Sequence, residues 1–204
     1  MGKIFCLMGK SASGKDTIYH RLLNHPELNL LPVIPCTTRP ARQGEKNGVD
    51  YYFYTDEEAL ALQEAGRVIE MRTYQTVHGP WRYFTADDGQ IDPDRGDYLL
   101  IATPEAYENL AARFGKNRTE GLYIWVEDGV RLQRALSRER KQQEPKYAEL
   151  CRRFLADEDD FSEERLKQAG VTVRFENDDP DQVTERILQY IKTEGNGFEP
   201  LQPE

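Results

Sequence analysis

A glycine-rich segment near the N-terminus has the residue types and the spacing that hold phosphate groups. The pattern G-x-x-x-x-G-K is formed by Gly9, Lys10, Ser11, Ala12, Ser13, Gly14 and Lys15. Glycines let backbone N–H groups curl around phosphate oxygens, and a following helix adds the positive end of its dipole. The ammonium of Lys15 would reach the β- and γ-phosphates of a nucleotide. The segment therefore predicts a nucleoside triphosphate site, with a flexible Gly/Ser turn as the alternative.

The position after Lys15 departs from that pattern. A loop of this kind has Ser or Thr there as a Mg²⁺ ligand, whereas this chain has Asp16 and then Thr17. The carboxylate of Asp16 and the hydroxyl of Thr17 are both suitable oxygen ligands, and the sequence leaves the choice open. Because another negative charge beside a triphosphate needs an offsetting cation, we expect ATP to bind with Mg²⁺ as its cofactor.

Residues 37–53 contain a second group of side chains that suit an anion. Arg39 and Arg42 lie three residues apart in a segment with two glycines, and their forked guanidinium groups are suited to clamp a phosphate. The hydroxyl of Tyr51 is available to the same anion. On the residue types alone, a second phosphate site and an ordinary solvated loop are both open interpretations.

The elements that would position these residues alternate between strands and helices. Apolar runs of strand length occupy residues 4–8, 30–34, 98–102, 122–126 and 171–175. Helical patterns occupy residues 17–23, 56–65, 103–114, 128–140, 147–169 and 180–192. Alternating residues at 67–74 and 78–85 predict short strands or a hairpin. This order predicts an α/β fold in which helices cover both faces of a parallel sheet.

The composition argues against several classes of function. The 204 residues include 27 basic and 36 acidic side chains, a net charge of −9, so we expect no binding to a nucleic acid polymer. No apolar run approaches the roughly 20 residues of a membrane span, so we expect no membrane association. The three cysteines and three histidines are scattered, which argues against disulfides and a transition-metal site. We expect a protein of the reducing cytoplasm.

The segment 37–53 closely resembles the GMP-phosphate segment of the guanylate kinase family. The shared pattern is T-T-R-x-x-R-x-G-E-x-x-G-x-D-Y-x-F, and it follows the phosphate loop in the family's order and spacing. The resemblance extends weakly over most of residues 1–192. It implies a P-loop NTPase-type parallel β-sheet core flanked by helices, with a GMP-binding-like insert and a helical lid. It also implies phosphoryl transfer from ATP to a nucleoside monophosphate, with GMP first among the acceptors.

From this resemblance we expect one guanylate-kinase-like domain over residues 1–192. Its parts would be a core (residues 1–34 and 96–192), a monophosphate-binding region (35–90) and a lid (about 128–160), followed by a flexible tail (193–204). We expect the protein to be a monomer or a homodimer, and its ligands to be ATP and a nucleoside monophosphate.

The resemblance also implies roles for individual residues on the acceptor side. Arg39 and Arg42 would hold the GMP phosphate with help from Tyr51, and Glu45 would support the loop. Glu70 would pair with guanine N1 and N2, although an ordinary carboxylate on a strand face is the alternative. A carboxylate suits the role because it accepts both guanine hydrogen bonds and meets the acceptor N1 of adenine badly.

A charged helical pair resembles the family's lid. Arg134 and Arg138 lie four residues apart on one helix face, and Arg152 and Arg153 follow after a linker. Arginines on a closing lid would cover the γ-phosphate charge and exclude water; an exposed helix with internal ion pairs is the alternative. The expected catalytic residues are Lys15, Arg42, Arg138, Arg152 and Arg153. Arg134 and Asn177 would lie on the ATP side.

Several positions depart from the family on the acceptor side. The family has Tyr-Gly-Thr/Ser about nine residues after the base-pairing glutamate; here His78 or Tyr83 would replace the tyrosine, and Thr85 the hydroxyl. Pro35 replaces a serine, and Thr103 lies in the segment where the family offers aspartates to guanine and the metal. These changes leave open a P-loop kinase for another phosphorylated metabolite.

A non-catalytic binding module of the guanylate-kinase-like type is a further open alternative. Such a module has little use for an intact phosphate loop, so the loop favours the kinase. For the acidic run at residues 157–160, a functional role and a solvated helix face are both open; the interpretation as a solvated face is favoured, because charge runs on helices usually face water.

Overall fold

Strands and helices alternate along the chain in the computed structural model, which describes residues 2–42, 44–76 and 79–193. In chain order the strands are β1 (Ile4–Met8), β2 (Leu31–Pro32), β3 (Cys36–Thr37), β4 (Tyr52–Phe53), β5 (Val68–Thr76), β6 (Gly79–Ala86), β7 (Tyr98–Ile101), β8 (Thr119–Trp125) and β9 (Val173–Glu176). The helices are α1 (Lys15–Leu23), α2 (Asp56–Glu64), α3 (Pro104–Phe114), α4 (Asp128–Glu139), α5 (Tyr147–Asp160), α6 (Glu163–Ala169) and α7 (Pro180–Thr193). Within the described ranges, none of these helices is long and apolar enough to cross a membrane.

A parallel sheet with β1 at its centre forms the core. Its strand order is β2–β7–β1–β8–β9, and each pair of neighbours runs parallel. β1 is buried along its whole length, as expected for a strand with partners on both edges and helices on both faces. The predicted α/β architecture with a parallel core sheet is therefore confirmed.

Successive residues of β1 face opposite helical layers, because side chains alternate across a strand. Phe5 packs in one cluster with Ile18 of α1 and Ile187 of α7. Met8 packs in the other cluster with Leu110 of α3. The carboxyl end of β1, where the phosphate loop begins, is thus held from both sides of the sheet.

A second sheet, of strand order β4–β3–β6–β5, carries Glu70, Tyr83 and Thr85, which the family resemblance places on the acceptor side. Its longest pairing is the antiparallel β5–β6 hairpin, one of the two arrangements predicted from the alternating pattern. The register places Glu70 opposite Thr85 and Arg72 opposite Tyr83. Helix α2 lies beside this sheet and begins with a complete capping box at Thr55.

The helical pattern over residues 147–169 is interrupted, so the prediction of one continuous helix there is wrong. α5 and α6 are separated by Phe161 and Ser162. The ring of Phe161 turns into the core and stacks on Tyr123 with 5.7 Å between ring centroids. The hydroxyl of Ser162 accepts a hydrogen bond from the Arg165 amide, which starts α6 as a new helix.

Candidate active site

The phosphate loop joins β1 to α1, as the glycine spacing predicts. Gly14 has φ +85°, and a Cβ there would lie 2.6 Å from Asn177 Nδ2. A Cβ on Gly9 would lie 2.6 Å from Ser13 Oγ. Both positions therefore require glycine, one for its left-handed backbone and both for the close approach of neighbouring groups.

Asn177, which directly follows the edge strand β9 of the core sheet, fixes the position of the phosphate loop. Its side chain is fully buried, and Nδ2 donates to the Ser13 carbonyl at 2.7 Å. Its backbone amide donates to the carbonyl of Trp125 at the end of β8. Among the described residues, Asn177 Oδ1 and Ser13 Oγ are buried without a hydrogen-bond partner. These two oxygen atoms are therefore available to form hydrogen bonds at the place where a nucleotide would bind.

A cavity of about 290 Å³ opens beside the loop. Its lining residues are Ala12, Gly14, Asp16, Thr17, Arg134 and Arg138. Arg134 also reaches the Asn177 carbonyl at 3.4 Å. Lys15 is mostly buried, with its Nζ 3.9 Å from Asp16 Oδ2. The fold therefore brings together the loop, both proposed magnesium ligands and two of the four proposed lid arginines.

The proposed acceptor-phosphate clamp is built around a buried arginine. Arg39 is 3% exposed, and its two terminal nitrogens donate to the two carboxylate oxygens of Glu45 at 2.6 and 2.7 Å. Glu45 also accepts from the Arg42 amide at 2.7 Å, while the Arg42 side chain stays exposed. The hydrogen bonds from Arg39 lower the pKa of Glu45 to about 2. Glu45 thus orients the side chain of Arg39 and anchors the backbone of Arg42.

Aromatic rings surround the same clamp. The Arg39 guanidinium lies 4.9 Å from the ring centroid of Tyr51 and 5.8 Å from that of Phe53. Tyr83 contacts Tyr51 edge-on at 6.1 Å between ring centroids. The clamp is thus a preorganised cation with two tyrosine hydroxyl groups nearby, a suitable combination for a phosphate.

The proposed base-side carboxylate lies on the same sheet. The Thr85 hydroxyl donates to Glu70 Oε1 at 2.8 Å. Burial raises the pKa of Glu70, and the Thr85 hydrogen bond opposes the rise. Tyr83 precedes Thr85 by two residues on β6, and both His78 and Tyr83 stay open as the counterpart of the family's tyrosine. His78 lies outside the described residues.

The other two proposed lid arginines lie away from the cavity. Arg152 forms an ion pair with Glu149 at 2.7 Å, and Arg153 lies 3.9 Å from the same carboxylate. The Arg152 guanidinium also lies 5.8 Å from the ring centroid of Tyr74 on β5. The arginines of α4 therefore face the phosphate loop, whereas Arg152 of α5 faces the hairpin.

Comparisons with known proteins agree with this geometry. The profile of the family described as guanylate kinase matches residues 1–80. A guanylate kinase of Malacoplasma penetrans is 31% identical over 184 residues, which cover 87% of this chain and 82% of that protein. The chain belongs to the guanylate kinase family. A guanylate kinase of Anaplasma phagocytophilum is 27% identical over 203 residues, covering 95% of this chain and 88% of that protein.

The fold of a guanylate kinase is also found by structural comparison. The crystal structure of guanylate kinase from Anaplasma phagocytophilum superposes with a TM-score of 0.65 at 21% identity. The match covers 95% of this chain and 86% of that chain. The similarity therefore spans the core sheet, the hairpin sheet and the helices after β8.

This guanylate kinase family member differs from the family pattern where the sequence indicated. Pro35 has no side-chain donor for a base. The Thr103 hydroxyl accepts a 3.2 Å hydrogen bond from the Ala106 amide and caps α3. Glu105, in the first turn of the same helix, adds to the rise in the pKa of Glu70. The sequence did not single out Glu105. Its place shortly after the carboxyl end of β7 was an available signal, because ligands bind at the carboxyl ends of the strands in such folds.

A buried arginine that the sequence did not single out connects the lid to the phosphate loop. Arg131 of α4 is 1% exposed, and its guanidinium lies 4.7 Å from the ring centroid of Phe154. It donates to Asp128 at 2.6 Å, to Glu158 at 2.9 Å and to the Ser11 carbonyl at 3.1 Å. A single arginine in a charged helix gives no sequence signal for burial, because two of its partners, Ser11 and Glu158, are distant along the chain and the nearby Asp128 indicates only an ordinary helical ion pair.

The interpretation of residues 157–160 as a solvated face is wrong for three of the four. Asp157 Oδ2 accepts from the Ser11 amide at 2.7 Å. Glu158 pairs with Lys10 at 2.8 Å, and Asp160 pairs with Arg72 of β5 at 2.6 Å. Asp159 remains exposed. The basic residue at the second position of the phosphate loop, Lys10, was the available signal for an acidic partner.

Proposed function

We propose that this member of the guanylate kinase family transfers the γ-phosphoryl group of ATP to GMP, giving ADP and GDP. The observation that carries the proposal is the acceptor sheet. It holds the fork between Arg39 and Glu45, which would clamp a phosphate, and a partly buried carboxylate–hydroxyl pair formed by Glu70 and Thr85. One end of a nucleoside monophosphate is an anion and the other is a base edge, so the two features suit its two ends.

The transfer needs little covalent chemistry from side chains. An oxygen of the GMP phosphate attacks the γ-phosphorus, a new P–O bond forms, and the bond to the β–γ bridging oxygen breaks with ADP as the leaving group. The attacking oxygen is already anionic, so no general base is required. Catalysis consists of alignment of the two phosphates, neutralisation of their charge and exclusion of water.

The side chains divide this work by their location. Arg39, with Tyr51 and Tyr83 beside it, would hold the acceptor phosphate in place. Arg42 is exposed and has its amide anchored on Glu45, so its guanidinium is free to turn toward the transferred group. Lys15 would hold the γ-phosphate from the loop side.

The lid arginines would complete the neutralisation of charge. Arg134 and Arg138 line the cavity beside the loop and would approach the phosphates of ATP. Arg152 and Arg153 are held by Glu149 on the helix that faces the hairpin, so they would approach from the acceptor side. The lid would thus supply cations to both substrates.

Magnesium fits the oxygen donors at the start of α1. Asp16 and Thr17 line one cavity with Arg134 and Arg138, and carboxylate and hydroxyl oxygens suit this hard cation. No cluster of three or more His, Cys, Asp or Glu residues that could hold a metal occurs among the described residues. That absence suits Mg²⁺, which is typically shared between few protein groups, water and substrate phosphates. Bound with ATP, it would neutralise charge on the phosphates.

We also propose the division of the chain into parts, its cellular compartment and its oligomeric state. Residues 1–34 and 96–192 would form the core, 35–90 the monophosphate-binding region and about 128–160 the lid. All three cysteines are free thiols, which suits a reducing cytoplasm. ATP and GMP would be the ligands; a monomer or homodimer remains the prediction for the oligomeric state.

The test is ADP formation with Mg²⁺ and ATP against a panel of AMP, GMP, CMP, UMP and the deoxynucleoside monophosphates. We expect selective turnover of GMP and dGMP. Selectivity would show that Glu70 and Thr85 recognise guanine without a serine at position 35. ATP binding with no turnover of any panel member would contradict the proposal and direct the search to another phosphorylated acceptor. Binding of GMP without any transfer would indicate the non-catalytic module.

A further inference from the structure

The last turn of α5 contacts the phosphate loop and the β5–β6 hairpin at the same time. Asp157 accepts from the Ser11 amide in the loop, and Asp160 pairs with Arg72 in the hairpin. These two carboxylates are three residues apart, so they lie on one face of the helix and about 4.5 Å apart along its axis. A single rigid turn therefore connects the proposed ATP side with the proposed acceptor side.

The connection at the loop is extensive and mostly buried. Ser11 is held at both of its backbone groups, since its amide donates to Asp157 and its carbonyl accepts from Arg131. Glu158 bridges Arg131 and Lys10 at 2.9 and 2.8 Å. The side chains of Arg131, Lys10 and Asp157 are 1%, 12% and 14% exposed. These contacts fix where α5 lies relative to the loop.

The connection at the hairpin is a forked ion pair. Arg72 donates to the two oxygens of Asp160 at 2.6 and 2.8 Å, and both side chains are about three-quarters buried. Arg72 lies two residues from Glu70 on the same face of β5 and opposite Tyr83. Arg72 therefore belongs to the part of the hairpin that would respond to the acceptor.

We propose that Arg72 and Asp160 are positioning residues that couple the acceptor hairpin to the phosphate loop through α5. Because α5 is one continuous helix, a hairpin held by the acceptor keeps Asp160 in place, and Asp157 and Glu158 with it. The same helix carries Arg152 and Arg153, so the pair also fixes the approach of these arginines to the acceptor. The kinetic consequences rest on the proposed function, whereas the mechanical coupling does not.

The mechanical coupling is tested without any nucleotide, by NMR hydrogen exchange at the Ser11 amide. In Asp160→Asn and in Arg72→Gln we expect exchange at Ser11 to rise about tenfold, because Asp157 is held less firmly on the amide. Asp159→Asn is the matched control, since Asp159 is exposed and its side chain has no hydrogen bond or ion pair among the described residues. Unchanged exchange at Ser11 in both interface variants would overturn the proposal.

A charge exchange separates coupling from general loss of stability. The double variant Arg72→Asp with Asp160→Arg restores the ion pair in reverse, so we expect it to recover most of the protection at Ser11 that each single change loses. Melting temperatures of all variants show whether the fold is intact. If the Ser11 amide of the double variant exchanges as fast as the sum of the two single effects predicts, Arg72 and Asp160 do not act as a pair, and the proposal is overturned.

The kinetic consequence is measured as coupling between the two substrates. In the wild type we expect GMP to tighten binding of the Mg²⁺ complex of adenylyl imidodiphosphate about fivefold or more. Asp160→Asn should lose most of that factor and lower kcat, while the affinity for each ligand alone stays close to wild type. If the wild type neither binds nor phosphorylates GMP, the proposed function fails, and exchange at Ser11 still decides whether α5 couples the two regions.

Discussion

Thr85 and Glu70 face each other across the β5–β6 hairpin, and the threonine hydroxyl donates a 2.8 Å hydrogen bond to the glutamate carboxylate. This hydrogen bond orients one carboxylate oxygen of Glu70 and stabilises the ionised carboxylate. Burial acts in the opposite direction, because it favours the neutral, protonated form. The pKa of Glu70 remains above its ordinary value because burial is the larger effect. The hairpin therefore carries a titratable carboxyl group at the place where we propose that guanine binds.

The first prediction is that GMP affinity falls as pH falls. A raised carboxyl pKa means that Glu70 takes up its proton at a higher pH than an exposed glutamate. The ionised form would accept hydrogen bonds from guanine N1–H and N2–H, so we expect the affinity for GMP to be full above the raised pKa and to be lost as pH falls through it. The measurement is KM for GMP against pH, with KM for ATP as the internal comparison.

Two variants make this assignment specific. Glu70→Gln should weaken GMP binding at all pH values and remove the acid-side loss. Thr85→Val removes the hydrogen bond that lowers the pKa, so the acid-side loss should begin at higher pH. An unchanged pH profile in Glu70→Gln would show that another group is responsible.

The second prediction concerns the clamp. Glu45→Gln leaves the buried Arg39 guanidinium without its counter-charge, so we expect the free energy of unfolding to fall by about 3 kcal/mol. Urea denaturation measures the change, and Glu64→Gln, at an exposed position of α2, is the control with the same chemistry. A variant as stable as this control would mean that the fork contributes little to the fold.

The same pair gives the third prediction, a pH dependence of stability with a definite sign. The pKa of Glu45 is lowered from 4.5 to about 2 by the hydrogen bonds from Arg39. A lowered pKa contributes stability that is present above the unfolded value and is lost as pH falls from about 4.5 to about 2. Glu45→Gln should therefore lose less stability than the wild type over that interval, as measured by denaturation at each pH.

The fourth prediction tests the phosphate loop. Lys15→Ala should lower kcat for transfer by about 10³-fold or more, because the other lysine of the loop, Lys10, is held by Asp128 and Glu158 and would not replace the cation at the γ-phosphate. Far-ultraviolet circular dichroism and the melting temperature should stay close to wild type, as should the activity of Lys141→Ala, an exposed lysine of the lid region. Activity near wild type in Lys15→Ala would contradict the loop assignment.

The fifth prediction concerns Arg131. Arg131→Met removes the buried cation that Asp128 and Glu158 share, but both carboxylates are partly exposed and keep Lys10 as a partner, so we expect a loss of about 2–3 kcal/mol in unfolding free energy. Arg140→Met, at an exposed position just after α4, should change stability by less than about 0.5 kcal/mol. Equal effects of the two changes would show that the buried cluster is not a determinant of stability.

Local patterns explain what the sequence predicted correctly. The buried strands, the phosphate loop and the hairpin follow from apolar runs, glycine spacing and alternation, all of which act over a few residues. Glycine at positions 9 and 14 is required by contacts at 2.6 Å, and the spacing of the motif reflects that requirement. The family resemblance implied only that Glu45 supports the loop; its fork with Arg39 joins two residues of that loop.

Long-range contacts explain what the sequence did not predict. The end of α5 depends on Phe161 stacking against Tyr123, a residue of another strand. The contacts of Asp157 with Ser11 and of Asp160 with Arg72 join residues that are 146 and 88 positions apart. No local period distinguishes such carboxylates from solvated ones, because the distinction is made by which elements the fold brings together.

The hydrogen bond from Asn177 to the Ser13 carbonyl has a consequence for the order of events during protein synthesis. It joins the first strand–helix turn to a residue 164 positions later. While the ribosome is still adding the residues before Asn177, the emerging chain already contains the glycine-rich loop but lacks the side chain that secures it. Competence to bind ATP would therefore arise late in translation, and nucleotide affinity would report that the last strand of the core sheet has joined.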